Sequence, residues 1–557
     1  MQTCVLHLEC LQMAQLALTP TGAPYFYTRD EALSAALALG AASFGGPLST
    51  GESALVDSFS QPSSSDLAAL RDAIIRGEDP LGEALCRTSS LEERRDAGMF
   101  YTPQPIVESM VRWAVAQAPG RIVDAGCGSG RFAAEIARQA DSVAIVAVDT
   151  DPAATLVCRA NLRVLGARYV VVLNNDYLSL ALPRVPCRTV FVGNPPYVRH
   201  HRLSQEQKRR AKAMASALGA SFSGLSGLQV HFFLATLALS SPGDKGTFIT
   251  SSEWLDVGYG AGLRSLLLKD LGLTEIQLFN RDSWTFDDAM TTAVITSFEV
   301  GRKVDSVSVA QWSPEACGSF ALSDIGVDTL SHSRRWSRLL YEPAATDDRV
   351  YPGLVRLGTL LRVSRGVATG SNAFFVMKRA EANAARLGPY VHPVLHEARQ
   401  IFQSQGLLLD QDTDRVLLDP PASIDLDDEE HEPLREYLKR GLEGRVDKTY
   451  LSSHRRQWWR LGSKVPPIVA TYMARQPPAF ALNPQGLRIV NVIHGLYPKV
   501  PLDAQQLKGL VRYLNANRLS FKGMGRTYQG GLEKFEPSEM EALPIPPSAE
   551  LRMFADD

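Results

Sequence analysis

Ile122-Val123-Asp124-Ala125-Gly126-Cys127-Gly128-Ser129-Gly130 is the stretch on which the fold turns. Its apolar, β-branched start reads as a strand, and three glycines at alternate positions follow before Phe132 to Arg138 takes up a helical pattern. Glycines at a strand-to-helix turn allow tight backbone geometry and let a ligand approach the main-chain amides. The spacing is G-x-G-x-G, with the acidic Asp124 ahead of the glycines. Outward from this turn, the hydrophobic pattern predicts helix 104–117, strand 121–124, helix 131–139, strand 143–149, helix 152–165 and strands 169–173 and 189–192. Helix 228–240 follows, ending at the turn Ser241-Pro242-Gly243-Asp244, and a further strand runs from Gly246 to Thr250. A βαβ series of this kind predicts an α/β fold: a mostly parallel, Rossmann-like sheet covered by helices on both faces.

A chain of 557 residues is too long for one ordinary core, so two large domains are expected. With 45% hydrophobic and 21% charged residues, it is neither disordered nor fibrous in composition. The first twenty residues lack the basic start of a signal peptide, and no apolar run approaches the ~18 residues of a membrane helix, so a cytoplasmic protein is expected. Cys4, Cys10, Cys86, Cys127, Cys158, Cys187 and Cys317 form no C-x-x-C pair and no zinc spacing, which predicts free thiols and no metal site. The net charge of −2 hides an uneven distribution. From Tyr437 to Phe535 there are 17 Lys and Arg against four Asp and Glu, the pattern of a polyanion-binding segment. The acidic run Asp425 to Glu432 just before it reads as a solvated loop.

Three further positions carry chemistry. Asp149 ends the second strand, where a carboxylate can hold a ribose diol. Asp176-Tyr177 follows the third, offering a short acceptor and a ring for a base. The fourth strand runs into Phe191-Val192-Gly193-Asn194-Pro195-Pro196-Tyr197 at its carboxyl end, where open α/β sheets place their ligands. Two prolines stiffen this loop, so the Asn194 amide oxygen and the Pro195 carbonyl can be aimed together at one external amino group. Accepting both protons would push the nitrogen lone pair out of conjugation and towards a methyl sulfonium. Tyr197 would then stack on the ring bearing that amino group, once the base has left its helix.

The ordered set Phe100-Tyr101-Thr102-Pro103, Asp124 to Gly130, Asp149, Asp176-Tyr177 and Asn194 to Tyr197 resembles the gamma-class N6-adenine DNA methyltransferases of type II restriction-modification systems. Ser226 to Leu268, Phe286 and Ala293-Val294-Ile295 resemble the rest of that catalytic domain. Arg365 to Gly370 with Asn372 and Phe374-Phe375, then Tyr528 to Leu532 and Leu543 to Pro546, resemble the opening and close of its target-recognition domain. The resemblance implies a class I methyltransferase fold followed by an α+β recognition domain, with S-adenosyl-L-methionine as cofactor. It implies Thr102 and Asp124 beside the methionine moiety, Gly126 and Gly128 in the cofactor loop, Asp149 on the ribose, and Asp176 and Tyr177 on the adenine. Asn194, Pro195 and Pro196 would orient the target amino group, with Tyr197 and Phe286 on either side of the flipped base. Asn194 in the leading position implies adenine, because serine there is commoner in cytosine-N4 enzymes. No covalent nucleophile is required, and Cys127 reads as a small packed residue of the loop.

These readings divide the chain into a mainly helical extension at 1–95, a catalytic domain at 96–320 and a recognition domain at 321–557. Double-stranded DNA is the expected partner, with a separately encoded restriction endonuclease beside it and no membrane. Contacts to DNA are expected from Arg199 and Arg202, in a segment with six Lys and Arg against one Glu up to Lys212, and from Arg455, Arg456 and Trp458. A solvated charge run around buried tryptophans is the alternative for the last three. Because the Asn-Pro-Pro-Tyr loop would serve any amino acceptor, a protein-glutamine or RNA adenine methyltransferase is the rival function, and a non-enzymatic DNA-binding protein a weaker one.

Overall fold

The structure is a computed structural model that describes residues 26, 28–59, 67–88, 101–198, 200–219, 226–279, 293–313, 318–341, 353–421, 423–528 and 532–555. The chain divides into two compact units, residues 1–347 and 348–557. In the first unit the described helices before the cofactor loop are α1 (Arg29–Ala38), α2 (Thr50–Ser58), α3 (Leu67–Arg76), α4 (Pro80–Thr88) and α5 (Gln104–Ala116). After it come α6 (Arg131–Gln139), α7 (Pro152–Val164), α8 (Gln205–Ala217) and α9 (Leu228–Leu239). The strands are β1 (Arg121–Ala125), β2 (Ala144–Asp149), β3 (Val170–Asn174), β4 (Thr189–Gly193), β5 (Lys245–Ser251), β6 (Leu273–Leu278), β7 (Ala293–Glu299), β8 (Ser306–Ser313) and β9 (Gly318–Gly326).

All nine form one sheet in the order β3-β2-β1-β4-β5-β7-β6-β8-β9. Pairs from β3 through β5 are parallel, whereas β7 runs antiparallel between β5 and β6. Strands β1 and β4 are buried along their whole length, as strands covered on both faces must be. The predicted Rossmann-like sheet is therefore present, and the class I methyltransferase description fits its strand order. Its extension through β8 and β9 was not read from the sequence, although β8 alternates and buries Val307 and Val309; β9 is exposed at most positions, Phe320 and Leu322 included.

The order reverses between β1 and β4, which lie side by side, so the sheet has its topological switch at the glycine turn. Register places the ends together: Ala125 pairs with Val148, one residue before Asp149, and Asp124 pairs with Val192, two residues before Asn194. Gly193 is required here by close approach, since a Cβ on it would stand 2.5 Å from the Ala125 carbonyl oxygen.

The boundaries expected at 95 and 320 are not where the compact units divide: residues 29–88 belong to the first unit, and so does β9. Helices α1, α3 and α4 share a core with α7, in which Leu33, Leu70 and Leu81 meet Leu156 and Val157. A fully buried ion pair joins the same parts, Arg159 Nε donating to Glu52 Oε1 at 2.8 Å. The Arg159 guanidinium also donates to the carbonyls of Phe44, Gly46, Pro47 and Val172.

The second unit is α+β. An antiparallel sheet of Leu361–Arg365, Ile493–Pro498, Ile468–Thr471 and Phe480–Leu482 shares a core with helix Ala504–Ala516. A second sheet joins Val376–Lys378, Arg415–Leu418, Val391–Leu395 and Arg488–Ile489.

Candidate active site

The glycine turn takes its shape from three left-handed residues, Gly126 at φ 75°, Gly128 at 54° and Gly130 at 86°. Each has its own reason. At Gly126 the reason is the left-handed φ alone, since a Cβ there would be in ordinary contact with the Phe232 ring at 3.5 Å, whereas one on Gly130 would stand 2.5 Å from Cys158 Sγ, where α6 meets α7. Around Gly128 the space is open, so this is the point at which a ligand can come against the backbone.

Two carboxylates frame the turn, Asp124 fully buried and Asp149 half-buried. Asp149 accepts from the Gly128 amide at 2.8 Å through one oxygen and from the Asp151 amide at 2.9 Å through the other. Burial raises its pKa above the ordinary carboxylate value. Each oxygen retains a second lone pair, so the residue fits a ribose hydroxyl pair while holding the turn. Asp124 accepts from the Ala133 amide in the first turn of α6 at 3.0 Å. Burial, partly offset by that bond, pushes its pKa up to about 7, and its other carboxylate oxygen is buried with no hydrogen-bond partner. The donor set and the open space at Gly128 thus fit S-adenosylmethionine.

Across the switch, Asn194 is half-buried and Pro195 buried. The Asn194 Nδ2 donates to Thr102 Oγ1 at 3.0 Å. Thr102 itself is buried at the start of α5, so the stretch beside Tyr101 and the Asn-Pro-Pro-Tyr loop meet directly. Tyr197 is half-buried, and burial lifts its phenol well above the ordinary value.

Other expected positions fare differently. Asp176 accepts from the Leu178 amide at 3.0 Å and lies 3.4 Å from Arg210 on α8, with its carboxylate part-exposed. Tyr177 is a correction: its ring is buried, stacked 4.9 Å from Phe232, and its hydroxyl lies 2.8 Å from Thr236 Oγ1. A ring enclosed by α9 belongs to the core and offers no wall to adenine. Arg455 is also corrected, because its guanidinium donates to the carbonyls of Ala368 and Thr369 and so braces the loop that opens the second unit. Trp458 is half-buried, packing on Phe374 at 5.6 Å against the core that contains Trp459. Arg456 and Arg202 are exposed. Phe286 and Arg199 lie outside the described residues.

Phe232, which touches both the Gly126 position and Tyr177, was missed by sequence reading. Its signal, an apolar residue in an apolar helix, is indistinguishable from any core position. Asp428, Glu430 and His431 bring ligand atoms within 4.8 Å of one another, but both acids are exposed in the acidic loop, and His431 Nδ1 pairs with the Tyr390 hydroxyl at 2.8 Å.

Three family models match the chain: the type II methyltransferase M.Eco57I C-terminal domain over 344–555, the Eco57I restriction-modification methylase over 189–286, and the methyltransferase small domain over 108–218. The type II methyltransferase M.XamI of Xanthomonas campestris pv. amaranthicola is 40% identical over 478 residues, covering 84% of this chain and 87% of that one. The chain belongs to the type II methyltransferases. This type II methyltransferase acts on DNA within restriction-modification chemistry and takes its methyl group from S-adenosylmethionine. A release factor glutamine methyltransferase of Bordetella pertussis is 30% identical over 173 residues, only 31% of this chain. Among solved structures, the type IIL restriction-modification enzyme MmeI in complex with DNA shares the fold, with a TM-score of 0.53 at 13% identity, over 88% of this chain and 72% of that one. Among the described residues no helix is long and apolar enough to cross a membrane.

Proposed function

We propose that this methyltransferase modifies N6 of an adenine extruded from duplex DNA. The observation that carries the reading is the Asn194 carboxamide, held by its nitrogen end on Thr102 at 3.0 Å and placed across the topological switch from the glycine turn. Its Oδ1 and the Pro195 carbonyl accept the two amino protons, concentrating the lone pair on nitrogen for attack on the methyl group. S-adenosylmethionine supplies that methyl group as an activated sulfonium. Asp149 holds the ribose, the amides around Gly128 face the methionine end, and Asp176 takes the adenine edge. Tyr197 stacks on the extruded base, and Phe286 is its partner on the other face, offsetting an unstacking cost of a few kcal/mol.

The second unit, 348–557, carries the positive segment and reads the target, with Arg456, and Arg199 and Arg202 of the first unit, contacting phosphates. A separately encoded endonuclease that cuts the same unmodified site completes the system. The enzyme works in the cytoplasm, where its DNA is.

Mass spectrometry of nucleosides from DNA methylated by the purified chain tests this. N6-methyladenine is expected; N4-methylcytosine alone would overturn the base assignment and leave the amino-group chemistry standing. Asn194→Ala should abolish transfer while cofactor binding persists. The glutamine rival has a specific observation behind it, the 30% match to release factor methyltransferases, and labelled transfer to a release factor in the same assay decides it.

A further inference from the structure

A buried carboxylate outside the site just described gathers four hydrogen bonds. Asp79, immediately before α4, accepts through Oδ1 from the Gly82 amide at 3.0 Å and from Asn161 Nδ2 at 3.1 Å. Its Oδ2 accepts from Ser129 Oγ at 2.6 Å and the Tyr101 hydroxyl at 2.9 Å, with Arg131 Nε at 3.5 Å.

These partners lead into the site along two short routes. Ser129 lies in the glycine turn itself, between Gly128 and Gly130. Tyr101 precedes Thr102, the Arg131 guanidinium lies 3.6 Å over the Tyr101 ring and donates to the Thr102 carbonyl, and Thr102 Oγ1 receives Asn194 Nδ2. The packing at Gly82 shows how closely α4 is pressed on the turn. A Cβ there would stand 2.2 Å from Asp79 Oδ2 and 2.4 Å from Ser129 Oγ.

We propose that Asp79 is a positioning residue for methyl transfer, setting the glycine turn through Ser129 and the Asn194 carboxamide through Tyr101, Arg131 and Thr102. The helices before residue 95 are then a working part of the catalytic apparatus. The Asn194 route rests on the reading of that residue as the amino-group acceptor; the Ser129 route does not. Asparagine at position 79 would keep the size but replace one acceptor oxygen by an NH2 group facing donors, and it would remove the charge that Arg131 and both hydroxyls sense.

The test uses the full chain, with S-adenosylmethionine affinity by calorimetry, the single-turnover methylation rate on saturating plasmid DNA, and DNA affinity in parallel. Asp79→Asn is expected to weaken cofactor binding and slow transfer by roughly tenfold or more each, the effect of losing charge-assisted hydrogen bonds, with DNA affinity unchanged. Asp79→Glu should recover part of both. Two milder variants separate the routes and keep the test alive if Asp79→Asn does not fold. Ser129→Ala should act mainly on cofactor affinity, and Tyr101→Phe, which keeps the ring under Arg131, mainly on the single-turnover rate. If these variants bind cofactor and transfer methyl groups as wild type does, or lose only thermal stability, the proposal is overturned. Full activity of Asn194→Ala in the same assay would remove the acceptor reading and the Tyr101 route with it, while calorimetry on Ser129→Ala would still decide the other route.

Discussion

Asp149, half-buried, and Asp124, fully buried, both stand at the carboxyl ends of neighbouring strands, yet their hydrogen bonds differ. Asp149 spans the turn and Asp151, so Asp149→Ala should weaken S-adenosylmethionine binding by roughly 1–3 kcal/mol, measured by calorimetry, with DNA binding retained. Asp124 takes the first turn of α6, and its pKa stands at about 7 against an ordinary 3.8. A carboxyl raised in this way binds its proton more tightly when folded. Its contribution to stability is therefore full below pH 3.8 and is lost as pH rises through about 7. Between pH 5 and 8 the wild type should lose more thermal stability than Asp124→Asn, and parallel curves would assign the pH dependence to other groups. The places of Asn194 and of the acidic residues at the strand ends were legible in the sequence because a strand end in a βαβ series has a known place. Tyr177 and Trp458 were not, because whether a ring is a wall or a core residue depends on what packs against it. For Tyr177 that is Phe232, on a helix reached only two elements later in the sheet's own path.

At the scale of elements, the strands and helices from 104 to 251 follow their patterns closely, whereas β8, β9 and α8 were not anticipated. Helix α8 starts at a Ser204 capping box and is the basic run read in the sequence as a DNA-contacting segment. Its Arg210 reaches Glu206 and Asp176. The junction of α2 and α7 was equally hidden, since no local pattern announces an ion pair between residues 107 positions apart. Glu52→Leu leaves the Arg159 guanidinium buried without its counter-charge, and the loss should be about 3–5 kcal/mol by urea unfolding. A change below 1 kcal/mol would mean that the five carbonyl and carboxylate partners are not acting as a unit.

For the whole molecule, the division at residues 347 and 348 predicts that a chain ending there folds and binds S-adenosylmethionine but no longer recognises its DNA target. Binding by the full chain should weaken steeply with salt, because the basic segment displaces counterions from phosphate; an interaction insensitive to salt would favour a protein substrate. The two-domain character was legible in length and charge, and the class of each domain in its motifs. The place of residues 29–88 was not, because their partners in α7 lie far along the chain. The Arg159 clamp has a bearing on how the protein is made. A ribosome delivers Glu52 and the turn at Phe44 to Pro47 before Arg159, 107 positions further on, so the early helices must wait for α7, while β3 to β9 are delivered later still. Refolding and unfolding rates of Glu52→Leu tell when the clamp closes: a refolding rate nearly unchanged with quicker unfolding places it after the rate-limiting step and makes it a guard on the lifetime of the native enzyme, and slowed refolding places it before.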